Sequence, residues 1–182
     1  NVLLVTGTNG NDVIVIEPRQ FHPAQIRVRF SGSVVAIVNA SDVQRIVAHG
    51  LGGNDTIIVN AALSQPATLF GGNGNDFLFG GAGSDQLEGG AGNDHLFGLG
   101  SNDALCGDEG NDFLFGGVGS DTLFGESGND RLFGESGDDL LIAGDGNDFV
   151  FGGCGNDQLF GQAGNDQLFG ERGNDIVVGG AG

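Results

Sequence analysis

Between Gly71 and Val178 the apolar residues keep one fixed place in a unit of nine. Twelve complete nonapeptides follow one another without a gap, and their eighth position is Leu or Val throughout, from Leu78 and Leu87 to Leu168 and Val177. A short fixed period with one invariant apolar anchor predicts a stacked solenoid, because no single unit can bury its own hydrophobic residue. Positions 7 to 9 are expected to form a three-residue strand. Its alternation sends position 8 inward and positions 7 and 9 outward. Positions 1 to 6 are rich in Gly and Asn and suit a turn that visits positive φ repeatedly. Two units then close one flattened coil of eighteen residues, and at about 4.8 Å per coil the twelve units span roughly 29 Å.

The sixth position is as regular as the eighth. It is aspartate in every unit: Asp76, Asp85, Asp94, Asp103, Asp112, Asp121, Asp130, Asp139, Asp148, Asp157, Asp166 and Asp175. Typical units read Gly71-Gly72-Asn73-Gly74-Asn75-Asp76-Phe77-Leu78-Phe79 and Gly89-Gly90-Ala91-Gly92-Asn93-Asp94-His95-Leu96-Phe97. Over residues 71 to 182 the chain resembles the RTX (repeats-in-toxin, haemolysin-type) calcium-binding nonapeptide repeat family, whose consensus these units carry. The resemblance implies an all-β fold, a right-handed parallel β-roll, with Ca²⁺ held between turns stacked on the same side. Three departures stand out. Position 1 is Ala143 in one unit, position 4 is Ser101 in another, and position 2 carries a side chain at Leu99, Asp108, Glu126, Glu135, Gln162 and Glu171.

Coils of eighteen residues sort the aspartates into two columns, Asp76 to Asp166 on one edge and Asp85 to Asp175 on the other. Carboxylates roughly 5 Å apart repel by about 1 kcal/mol in water and by more at lower dielectric, and a cation between them reverses the sign. Calcium accepts six to eight oxygens with flexible geometry, so turn carbonyls can complete its shell, whereas magnesium is stricter and zinc prefers His or Cys. Charge points the same way. The formal net charge of -18 falls entirely in the repeats, since residues 1 to 70 hold four acidic residues and four arginines. Six aspartates per column leave five gaps, so about ten Ca²⁺ ions would nearly neutralise the roll. With one core aliphatic per nine residues, folding is expected to be coupled to calcium binding.

Residues 1 to 70 differ in composition. β-Branched runs at Asp12–Ile16, Gln25–Phe30, Ser33–Val38 and Asp55–Val59 read as strands. Two degenerate units, Gly7–Val15 and Gly50–Ile58, keep Asn-Asp and the aliphatic at position 8. The stretch is therefore read as wider, irregular coils continuing the solenoid, with a small independent β-sandwich as the competitor. Asp12 and Asp55 are open between calcium ligand and structural turn residue, because neither has a partner eighteen residues away.

No catalytic motif is found. Gly125-Glu-Ser-Gly128 and Gly134-Glu-Ser-Gly137 look faintly like nucleophile elbows but fall in register as turns. His22, His49 and His95 are scattered, which suggests solvated surface residues. Acidity argues against a nucleic-acid partner, and no apolar run is long enough to span a membrane. Cys106 and Cys154 lie nearly three coils apart, beyond disulfide reach. Asn1 at the start and the absence of methionine suggest a processed product, and so many calcium sites fit a secreted, extracellular location. The reading is a non-catalytic, calcium-binding structural solenoid. The alternative is the calcium-dependent segment of a longer secreted enzyme, toxin or adhesin. Ice binding would want a flat outward Thr/Asn array, which position 3 does not supply. Self-association is expected in two forms. Position 9 is Phe in all six coils of the Asp76 column, a stripe suited to lateral contact. Head to tail, Asn1–Val5 could complete the interrupted unit Gly179–Gly182 and give a filament.

Overall fold

In the computed structural model, which describes residues 1–182, the chain winds through two sheets that are parallel except at β2, β3 and β4. The N-terminal strands are β1 (Val2–Thr6), β2 (Val13–Arg19), β3 (His22–Phe30), β4 (Ser33–Asn39), β5 (Arg45–Gly52), β6 (Thr56–Val59), β7 (Ala67–Asn73) and β8 (Phe77–Gly81). The repeats supply β9 to β19 in order: Gln86–Ala91, His95–Gly100, Ala104–Glu109, Phe113–Val118, Thr122–Ser127, Arg131–Ser136, Leu140–Asp145, Phe149–Cys154, Gln158–Ala163, Gln167–Arg172 and Ile176–Val178. One sheet has nine strands in the order β1-β5-β7-β9-β11-β13-β15-β17-β19. The other has ten, β18-β16-β14-β12-β10-β8-β6-β2-β3-β4. Repeat strands pair in register with the strand eighteen residues away, as in His95↔Phe113 and Leu96↔Leu114. This is the expected β-solenoid. No helix is long and apolar enough to cross a membrane.

The core lies where the eighth position predicts it. Leu78, Leu96, Leu105, Leu114, Leu123, Leu132, Leu141, Val150 and Leu159 are fully buried in one cluster that also holds Ile14, Ile16, Ile46, Ile57 and Leu69 from the N-terminal region. That cluster and both sheets pass residue 70 without a break. Burial fades at the other end, where Leu168 is only partly covered and every residue of β19 is exposed.

One expectation needs correction and another gains detail. The repeat strand has six residues, not three: β12, for example, runs from position 7 through positions 1, 2 and 3 of the next unit. The ladder skips position 1 and resumes at position 2, as Phe97↔Phe115 is followed by Leu99↔Gly117. Position 2 is held at positive φ, between 68° and 80° where it bears a side chain in the repeats. Such a bulge swings the strand onward without ending it. The second point concerns residues 13 to 39, where the wider coil between Asp12 and Asp55 carries an antiparallel meander, β2 against β3 and β3 against β4. Ser31 and Gly32, at φ 45° and 86°, make the tight turn between β3 and β4, since two successive positive φ values match the twist of a hairpin. The meander extends the ten-stranded sheet past β2, and Leu3 and Val5 of β1 pack partly buried against the common core.

Candidate metal centre

Glycine, asparagine and aspartate have separate tasks in each turn. Position 1 is crowded, and only Ala143 departs from glycine there. A Cβ on Gly71 would strike the Asp76 Oδ2 and, at 2.5 Å, the Gly89 carbonyl oxygen of the next coil. Position 4 packs backbone on backbone, and Gly119, at φ 142°, has no room for a Cβ beside the Ser101 carbonyl. The turns visit positive φ at positions 2 and 4, as the sequence reading expects, but not at the asparagines of position 5. Instead their backbone N–H groups donate to the side-chain oxygen of the residue one coil before: Asn93 to Asn75 at 2.8 Å, Asn111 to Asn93 at 2.9 Å, Asn129 to Asn111 at 2.9 Å, and Asn156 to Asp138 at 2.7 Å.

The aspartates form a ladder of opposite sense. The backbone N–H of Asp94 donates to Oδ1 of Asp112 at 2.8 Å, that of Asp112 to Oδ1 of Asp130 at 2.8 Å, and the second column repeats this from Asp85 to Asp103 at 2.7 Å. Asp76 to Asp157 are all buried, while Asp166 and Asp175, near the C-terminal end, are half-buried. The two columns therefore exist as the period implies. One of them is longer. The Asp12 N–H donates to Asp55 Oδ1 and the Asp55 N–H to Asp76 Oδ1, both at 2.7 Å. Asp12 and Asp55 head the Asp76 column, across coils lengthened to 43 and 21 residues. A search at a spacing of eighteen could not find them, although their Gly-x-x-Gly-Asn-Asp context could have.

While Oδ1 is occupied, the other oxygen is orphaned. Oδ2 of Asp55, Asp76, Asp85, Asp94, Asp103, Asp112, Asp121, Asp130, Asp139, Asp148, Asp157 and Asp166 is buried without any hydrogen-bond partner. A buried, unsatisfied carboxylate oxygen is costly, and repetition at every turn asks for a common positive partner. Burial, only partly offset by the N–H bond, pushes Asp85, Asp94, Asp112 and Asp139 up to about 7 and Asp103 to about 8. Asp55 and Asp130 rise to about 6 for the same reason. The donor set fits a hard cation. No three acidic, histidine or cysteine side chains converge anywhere, so each gap offers carboxylate plus turn carbonyls, an all-oxygen shell of the kind calcium accepts.

The outer faces carry ladders as well. Phe79, Phe97, Phe115, Phe133, Phe151 and Phe169 stack with ring centroids 4.6 to 5.2 Å apart. A second column was not foreseen: His95 lies between Phe77 and Phe113 at 4.5 and 4.8 Å, and the Arg131 guanidinium lies over Phe113 and Phe149. His95 is thus a stacked, half-buried ring whose burial lowers its pKa, not a solvated one, and His49 stacks on Phe70. Cys106 and Cys154 are free and lie in opposite sheets. Burial and the neighbouring Asp108 carboxylate push the Cys106 thiol up to about 12, which leaves it unreactive.

Comparison with curated proteins finds no match. The family model of the RTX calcium-binding nonapeptide repeat matches residues 68–87, 79–114, 115–150, 124–159 and 151–182, together an unbroken stretch of well over half the chain. The chain belongs to the RTX calcium-binding nonapeptide repeat family.

Proposed function

We propose that this protein is an extracellular, non-catalytic β-roll whose folding is coupled to calcium. The position-6 aspartates from Asp76 to Asp175 serve as the carboxylate ligands in this reading. The observation that carries it is the line of buried, unpartnered Oδ2 atoms, one in every repeat turn from Asp76 to Asp166. Calcium supplies positive charge and accepts oxygens in each gap. The chain's own residues do the rest: position-1 glycines leave space beside the carboxylates, the N–H ladder fixes Oδ1, and the core leucines fill the space between the sheets. Membership of the family supports secretion. Service as the calcium-dependent segment of a longer secreted enzyme, toxin or adhesin uses the same sites and differs only in what adjoins them.

Self-association extends the reading. Head-to-tail contact would be narrower than the sequence suggests, because only the nine-stranded sheet ends on β1, whereas the ten-stranded sheet continues past β2 into β3 and β4. The contact would rest on the three-residue β19 against β1. Lateral contact would use the phenylalanine column. One preparation tests all of this. Circular dichroism should show the β-signal lost when a chelator is in excess and regained with calcium, and an unchanged signal after chelation would refute the coupling. Sedimentation of the calcium-loaded sample, with and without residues 1 to 5, reads assembly: two monomers rule out the filament.

A further inference from the structure

The orphaned oxygens do not stop where the nonapeptides stop. Asp55 lies outside the matched repeats, yet it is 1 % exposed and its Oδ2 has no partner. Its surroundings reproduce a repeat turn. A Cβ on Gly50 would meet Asp55 Oδ2 and, at 2.5 Å, the Gly71 carbonyl oxygen, just as one on Gly71 meets Asp76 Oδ2 and Gly89 O. The Asp55 N–H is tied to Asp76 Oδ1 at 2.7 Å, so the two carboxylates stand in the same relation as Asp94 and Asp112. Asp12, one coil further, differs. Its Oδ2 accepts the Thr8 N–H at 2.5 Å and the Thr8 hydroxyl at 3.0 Å.

We propose that Asp55, with Asp76 and the Gly71 carbonyl, forms a further calcium site across the 21-residue coil, and that Asp12 closes the column as a hydrogen-bonded cap without an ion of its own. The chemistry is that of a hard divalent cation among oxygen ligands, as in the repeats. Residues between the two aspartates form β6, the loop at Asn60–Pro66 and β7, so the ion clamps non-repeat chain to the first regular turn. The meander hangs on β6 through β2, so calcium orders the N-terminal region as well as the roll.

This inference rests on calcium binding by the repeats, and the test separates the two. Native mass spectrometry of the intact, calcium-loaded chain counts the ions. The repeats alone provide ten gaps and the Asp55 site makes eleven. Asp55→Asn should lose one ion and Asp12→Asn none, while hydrogen exchange of residues 13 to 59 in calcium should speed up at least tenfold in Asp55→Asn only. A wild-type count of ten, or a folded Asp55→Asn chain holding as many ions as wild type, overturns the extra site and leaves the repeats untouched. A wild-type count of zero would instead sink the functional reading. Should Asp55→Asn fail to fold, the wild-type count of ten or eleven still decides.

Discussion

Residue identity in the turns is set by oxygen crowding more than by backbone freedom. The distinction is visible at positions 1 and 2, both glycine in the consensus. Position 2 requires positive φ, yet Glu126, Glu135 and Gln162 accept it at 72° to 74°, a strain of roughly 1 kcal/mol that a solvent-facing side chain permits. Position 1 needs empty space instead. A methyl on Gly107 would collide with Asp112 Oδ2 and lie 2.9 Å from the Gly125 carbonyl oxygen, which are the atoms proposed to face calcium. Gly107→Ala should therefore cost about 1–3 kcal/mol through overpacking and raise the calcium concentration at the folding midpoint. Calcium titration followed by circular dichroism measures this, and an unchanged midpoint would show that the glycine is kept for another reason. Ala143, the one natural exception, is fully buried, and its turn still holds the Asp130 N–H on Asp148 Oδ1 at 2.7 Å. Ser101 is likewise accommodated, with its hydroxyl donating to the Ala82 carbonyl at 3.0 Å.

At the level of elements, one strand with its turn is a set of ladders, and the ladders differ in how legible they are. The aliphatic at position 8 and the aspartate at position 6 announce themselves because a residue type kept at a fixed period has one place to go. The phenylalanine column follows from the same count. The column of Phe77, His95, Phe113, Arg131 and Phe149 does not, since only its shared property of a flat π-system or guanidinium makes it continuous. Strand length was misread for a physical reason: a glycine pair looks like an end, but the bulge at position 2 lets pairing resume. The meander was hidden because β-branched runs do not reveal strand direction, although Ser31-Gly32 carried the hairpin signal. The stacked rings make a quantitative claim. Phe115 touches Phe97 and Phe133 at 5.0 and 4.8 Å, and each aromatic pair contributes about 0.5–1.5 kcal/mol beyond its buried area. Phe115→Ser should lower the stability of the calcium-loaded roll by about 2 kcal/mol in denaturant unfolding while leaving the β-signal intact. A loss near zero would mean that the stack follows the coils without holding them.

For the whole molecule, the balance between protons and calcium decides whether the two sheets stay together. Without calcium the native fold raises the aspartate pKa values by burial, from the ordinary 3.8 to about 7 at Asp85, Asp94, Asp112 and Asp139 and about 8 at Asp103. The native state thus binds more protons than the unfolded chain between those limits, so stability falls as pH rises. The contribution is fully present below the unfolded value near 3.8 and is lost as the pH passes through 6 to 8, where the folded carboxyls must ionise. At pH 7 the calcium-free chain then faces rows of buried charge on a core of one aliphatic per turn, and it should unfold. Acid should substitute for the metal. Chelated protein taken from pH 8 to pH 4 is expected to regain β-structure without calcium, most steeply between pH 7 and 5. Calcium affinity should weaken over the same range, because each ion must displace protons. Circular dichroism across the pH series, with sedimentation to separate folded monomer from precipitate near the sequence pI of 4.1, reads the outcome. If the chelated chain is as unfolded at pH 5 as at pH 8, charge repulsion along the columns is not what keeps the metal-free roll apart, and the thin core alone must account for its dependence on calcium.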